Sequence, residues 1–249
     1  MGNFTSPVSP GSKASGAPSA RFRPSEHGFR FANRFPGVPL PFTLPSAIRQ
    51  PSTTYGLCGG MCFAAADFFQ VRKPVPQSSQ VPSDDTPLYR YLLRRQLDSF
   101  GSASRFVLKF IAWMFMPDGT VNGTQRRTAG SLEAVRLFLD AGQVAILGLV
   151  YVKGQQSLAV WQNHQVMAYG YQVISETKTD VSIYDPNYPG NDGVFIRCEQ
   201  VEVGRKKSKE GKNIPIYGVA CTEVIPGAPD RAVRGFFPIA YTPQEPPDL

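Results

Sequence analysis

An α+β fold, with helices first and antiparallel strands after them, is predicted by two features of this chain. From residue 58 to residue 140 the apolar residues recur at helical spacing. From residue 144 onward they alternate, or run on in short blocks bounded by Gly, Pro and Asn. That order of elements points to helices packed against one antiparallel sheet. Hydrophobic residues make up 42% of the 249 and charged residues only 18%, which supports a packed core and excludes a coiled coil or a wholly disordered chain.

The chain divides near residue 50. Residues 1–50 form a Ser/Pro/Gly-rich basic leader, and residues 51–249 form the folded domain. The first 25 residues hold almost no aliphatic side chains and cannot bury enough surface to offset chain entropy, so disorder is expected there. Residues 29–49 mix Phe, Pro and Leu and read as an extended strap across the domain. The leader carries Lys13, Arg21, Arg23, Arg30, Arg34 and Arg49 against Glu26, which is +5 of the formal charge of +7. The domain is therefore nearly neutral, and no nucleic-acid partner is expected, because such a partner needs a basic folded surface.

Met1-Gly2-Asn3-Phe4-Thr5-Ser6 fits the loose pattern for N-myristoylation at Gly2, and an ordinary leader fits the same residues. No run is long and apolar enough for a transmembrane segment, and no apolar stretch suits a signal peptide. Such a leader is compatible with a cytoplasmic protein, and equally with a bacterial effector exported without a classical signal peptide. Four Cys are too few for a disulfide scaffold, so reduced thiols are the default. The only histidines are His27 and His164, which excludes a His-rich metal site; no metal and no cofactor are expected.

Within the domain, residues 59–70 read as a helix with Cys58, Cys62, Ala65 and Phe69 on one buried stripe. Asp84-Asp85-Thr86-Pro87 is a helix start, a capping residue followed by Pro at the first helical position. Residues 104–116 form a third helix, very apolar and closed by Pro117-Asp118-Gly119. Residues 131–140 form a fourth, closed by Gly142. Strands follow at 144–152, 165–173 and 181–184. Residues 194–203 and 214–223 make a hairpin around the charged turn GRKKSKEGKN, read as a solvated loop. Residues 235–241 add a strand that Pro238 confines to a sheet edge.

Three short stretches carry chemistry. In Tyr55-Gly56-Leu57-Cys58-Gly59-Gly60-Met61-Cys62, a Cys stands at a helix N-terminus, where the peptide dipoles favour a thiolate. Unpaired first-turn N–H groups there can bind an oxyanion, and Gly59 and Gly60 clear side chains from beside the sulfur. His164 opens a strand in Asn163-His164-Gln165-Val166-Met167-Ala168-Tyr169-Gly170-Tyr171. Asp185 closes the next strand in Tyr184-Asp185-Pro186-Asn187. A thiolate needs a base, and the base needs an acceptor that fixes its tautomer. A hairpin joins His164 to Asp185 and can set them side by side.

This set resembles the papain-like cysteine peptidase superfamily. It is most similar to the bacteriocin-processing type, in which Cys-Gly opens the central helix, a strand begins His-x-Val and ends Gly-Tyr, and the next strand ends Asp-Pro. Here those residues are Cys58-Gly59, His164-Gln165-Val166 with Gly170-Tyr171, and Asp185-Pro186. The resemblance spans residues 52–200. It implies a papain-like α+β fold with the nucleophile helix packed on the sheet. It also implies thiol hydrolysis of a peptide or protein substrate, or related amide or isopeptide acyl transfer. Cys58 would be the nucleophile, His164 the general base and acid, and Asp185 the orienting group. Cys62 is the alternative nucleophile and Asn187 the alternative orienter. The family's side-chain oxyanion donor, a Gln shortly before the nucleophile, falls on Ser52; the nearest Gln is Gln50, so Ser52, Gln50 and the Gly59 amide are the positioning candidates. A catalytically inactive papain-like binding module and a transglutaminase-like acyltransferase remain as alternatives. Trp161 is placed to cover the His–Asp pair or to sit in the core, and Cys198 and Cys221 fall on facing arms of the predicted hairpin as buried thiols or a pair.

Overall fold

The computed structural model describes residues 22–37, 54–154 and 157–248. Gly2, Gln50 and Ser52 lie outside them, so the acylation pattern and two of the positioning candidates have no structural counterpart here. The chain order is α1 (Pro24–His27), β1 (Phe35–Pro36), β2 (Thr54–Tyr55), α2 (Cys58–Gln70), α3 (Pro87–Phe100), α4 (Arg105–Met114) and α5 (Thr124–Asp140). Then follow β3 (Ala145–Val150), β4 (His164–Ser175), β5 (Lys178–Tyr184), β6 (Phe195–Lys207), β7 (Asn213–Val224), β8 (Arg231–Val233) and β9 (Gly235–Ile239). The arrangement is α+β, as the change of period along the sequence implies.

β3 to β9 form one antiparallel sheet of seven strands in the order β8-β7-β6-β5-β4-β3-β9. The Pro-containing β9 is an edge strand because Pro238 has no N–H for a second neighbour. Helices cover both faces. β3 is buried along its whole length, and successive residues serve opposite sides. Ala145, Leu147 and Leu149 pack with Leu132, Val135 and Leu139 of α5. Ile146 and Val150 join the core that holds α2, α3 and α4. No described helix is long and apolar enough to cross a membrane.

Three expectations are corrected. Residues 22–37 fold against the domain: Phe22, Phe29, Phe31 and Phe35 are buried in the α2 core. β1 also pairs with β2. Residues 22–25, at the end of the stretch assigned to disorder, are thus ordered, and Phe29, Phe31 and Phe35 of the strap enter the core, because aromatic rings supply the burial that scarce aliphatics do not. The stripe predicted on α2 is also too narrow. Residues 59–68 are all buried, so α2 is a central helix surrounded on every side. Finally, α5 begins at Thr124 rather than at residue 131. Its first two turns show no apolar stripe because their buried positions are Thr124 and Thr128. The Thr128 hydroxyl donates to the Thr124 carbonyl (2.8 Å) and accepts from the Phe236 N–H (3.3 Å).

α3 starts as its sequence dictates. Thr86 caps it, accepting the Tyr89 N–H at 3.2 Å, with Pro87 at the first helical position. α2 and α3 meet through glycine. A β-carbon on Gly60 would lie 2.2 Å from the Leu92 carbonyl oxygen, and one on Gly59 2.2 Å from Ser99 Oγ. The two glycines therefore permit helix–helix contact rather than clearing space for a substrate, which corrects the role expected of them. Gly60→Ala is expected to force α2 and α3 apart and to cost about 1–3 kcal/mol or more, because the obstructing atom is backbone. Urea unfolding measures it, and a midpoint equal to that of the wild type would contradict the close approach.

Candidate functional site

In an antiparallel sheet alternate strands end on the same side. The C-terminal ends of β3, β5 and β7 therefore gather with the N-terminal end of β4. Tyr151 just past β3, His164 opening β4, Asp185 just past β5 and Glu223 near the end of β7 lie along that one margin, and the N-terminus of α2 meets it. This topology unites side chains up to 165 residues apart in sequence.

Cys58 is the first residue of α2 and is partly exposed. Its helix start uses no side-chain cap of its own. The neighbouring Leu57 N–H donates to Asn33 Oδ1 at 2.6 Å, and the Gly60 N–H donates to Gln96 Oε1 at 2.9 Å. Between these two satisfied donors, the Cys58 and Gly59 amides belong to the first turn, which has no intrahelical acceptors.

His164 is buried, and its Nε2 lies 2.7 Å from Asp185 Oδ1. Asp185 is buried too, and the Asn187 backbone N–H donates to the same Oδ1 at 2.8 Å. Asn187 Nδ2 stands 3.1 Å from His164 Nε2. Both orienting candidates therefore converge on one ring nitrogen, with the carboxylate closer and Asn187 bracing it. Nδ1 is left clear of both, and Cys58 lies near enough to the His164 ring to raise its proton affinity. Burial alone would push the imidazole down, but the Asp185 charge and hydrogen bond, with Cys58 adding to them, hold it well above 6.5. Burial likewise opposes ionisation of Asp185, and the His164 charge overcomes that, keeping the carboxyl below its ordinary value. The two shifts favour an imidazolium–carboxylate pair.

Cys62 is one turn further along α2 and is fully buried, its thiol donating to the Gln165 carbonyl at 3.6 Å. Burial, then the nearby Cys58 and Asp185, push that thiol well above its ordinary value, so it remains protonated. Cys198 and Cys221 face each other across β6 and β7 in direct register, sulfurs 3.9 Å apart, as free buried thiols. Trp161 packs edge-on to Phe100, ring centroids 6.1 Å apart.

Two residues at the site escaped the sequence reading. Asn33 comes from the segment read as an extended strap across the domain. Its own N–H donates to the Pro186 carbonyl (2.9 Å), and its Nδ2 to Asn187 Oδ1 (3.3 Å), so it ties the start of α2 to the loop after β5. Nothing in its local sequence signals this. Glu223 did leave a signal. Val219, Cys221, Glu223 and Ile225 are all buried at a period of two, which sets an acid at an inward-facing position of a strand. Comparison of the chain with family models, with curated proteins and with solved structures gives no match in any of the three.

Proposed function

We propose that this chain is a papain-like cysteine hydrolase, cleaving or transferring the acyl group of an amide bond in a peptide or protein substrate. The observation that carries the reading is the buried His164–Asp185 contact of 2.7 Å, with Cys58 on the same imidazole at the head of a helix. The resemblance in motif order, Cys-Gly then His-x-Val then Asp-Pro, supports it further.

In this reading the proton given up by Cys58 rests on His164, and the thiolate attacks the substrate carbonyl carbon. The oxygen of the tetrahedral adduct gains the negative charge and is met by the first-turn amides of α2, at the positive end of the helix dipole. The imidazolium then protonates the departing amine as the C–N bond breaks, leaving a thioester on Cys58. A water molecule, deprotonated by His164, attacks the thioester and releases the acid and the free thiol. An amine in place of water would make the same step a transfer. Asp185 stabilises the imidazolium throughout and is not itself protonated.

Labelling with iodoacetamide at neutral pH, read by peptide mass spectrometry, tests the proposal. Cys58 is expected to be modified first, and Cys58→Ala to abolish cleavage of a peptide library while the protein remains folded. First modification at Cys62, Cys198 or Cys221, or cleavage surviving in Cys58→Ala, would overturn it.

A further inference from the structure

Behind Asp185 lies a second acid that the triad does not require. Glu223 is 1% exposed. Its Oε2 accepts the Tyr151 hydroxyl at 2.7 Å, whereas Oε1 has no donor among the described residues. The neighbouring acid is Asp185, whose carboxyl acts on Glu223, as Glu223 acts on it, through charge and hydrogen bonding. Two carboxyl groups can share a hydrogen bond only if one of them carries a proton. Asp185 faces the imidazolium, so the proton belongs to Glu223.

We propose that Glu223 is a positioning residue of the site: its carboxylic acid, held by Tyr151, donates a hydrogen bond to Asp185 and fixes that carboxylate against the His164 ring. The proposal rests on the reading of Cys58, His164 and Asp185 as the reacting set. A neutral donor suits this place. A Lys or Arg would orient Asp185 but would also cancel the charge that holds the imidazolium, whereas a protonated acid orients it and leaves the charge intact.

The groups around Glu223 agree. Asp185 and Tyr188 come from the loop after β5, Tyr151 from the end of β3, and His164 from β4. Arg231 of β8 stacks over the Tyr151 ring at 3.4 Å from its centroid. Burial, then the Asp185 charge and hydrogen bond, raise Glu223 to about 7, against smaller opposing effects of Tyr151 and His164. Below that value Glu223 is a donor. Above it two carboxylates face each other and the support for Asp185 is lost, so the geometry of the His164 ring becomes pH-dependent near neutrality.

The test follows the imidazole resonances of His164 by NMR from about pH 5 to 9. The chain has only two histidines. The other, His27, is distinguished by its place in α1, where its Nδ1 accepts the Arg23 N–H at 2.9 Å. The wild type is expected to show a step in the His164 shifts near pH 7. Glu223→Gln, which donates but cannot ionise, should remove the step and keep iodoacetamide alkylation of Cys58 within about threefold of wild type. Glu223→Ala should slow that alkylation by about 10- to 100-fold, as expected for a displaced base. A step near pH 7 that persists in Glu223→Gln, or Glu223→Ala alkylating at the wild-type rate, would overturn the inference. Failure of the hydrolase reading itself registers elsewhere, as His164→Ala alkylating at Cys58 like the wild type.

Discussion

Asp67→Ala is expected to destabilise the protein by about 3–5 kcal/mol, the largest effect on stability of any single change considered for this chain. Asp67 lies on α2 with its side chain fully buried, and Arg95 of α3 is 1% exposed. Arg95 Nε is 2.7 Å and Nη2 3.1 Å from the two Asp67 oxygens. Asp67 also accepts the Tyr91 and Tyr241 hydroxyls, each at 2.7 Å, and the Gln244 N–H at 2.8 Å. Arg95 in turn donates to the Thr242 carbonyl at 2.9 Å and pairs with Asp98 at 2.8 Å.

One carboxylate thus joins α2, α3 and the C-terminal segment. Its removal leaves a guanidinium buried with only the partly exposed Asp98 to balance it. The cost comes chiefly from that stranded charge rather than from lost attraction. The double variant Asp67→Leu/Arg95→Met should therefore be more stable than the sum of the two single losses implies, because neither charge then remains. Urea unfolding of the four proteins measures this. Additive losses would show that the pair is not coupled. Through α2 the same ion pair bears on the candidate site, since it anchors the helix that presents Cys58.

The second large effect is kinetic. His164→Ala is expected to lower turnover of an amide substrate by about 10²- to 10⁴-fold, the range for removing a positioned acid–base group, without a comparable change in KM. In the proposed reaction the imidazole serves two steps, since it holds the proton given up by the thiol and later passes it to the leaving amine. Because Asp185 raises the imidazole well above its ordinary value, the acid form persists to higher pH than in an ordinary histidine. Turnover is then expected to be lost as pH rises through that raised value, apart from the Glu223 step near 7, and not at the ordinary histidine value. Asp185→Asn should shift the loss to lower pH, since the charge that raises the imidazole is gone. A pH–rate profile unchanged in Asp185→Asn would show that the 2.7 Å contact does not govern the reaction.

The local features can be read directly along the chain. The Thr86-Pro87 start of α3, the run of strands after residue 144, the long hairpin of β6 and β7 and the edge position of β9 each follow from side chains acting on their own backbone. Capping, pleat alternation and the missing Pro N–H are short-range effects, so they are legible along the chain. The spacing of Cys58, His164 and Asp185 was legible for a related reason, since a helix start, a strand start and a strand end are local punctuation.

The surroundings of those three residues come from the packing of whole elements against one another. It turned Gly59 and Gly60 toward α3, set Asn33 of the strap against the start of α2, and paired Asp67 with Arg95. It also set Glu223 behind Asp185. Each of these depends on which strand ends share a margin of the sheet and on which helix covers it. That choice is made by burying whole faces at once, and no single stretch of sequence carries it.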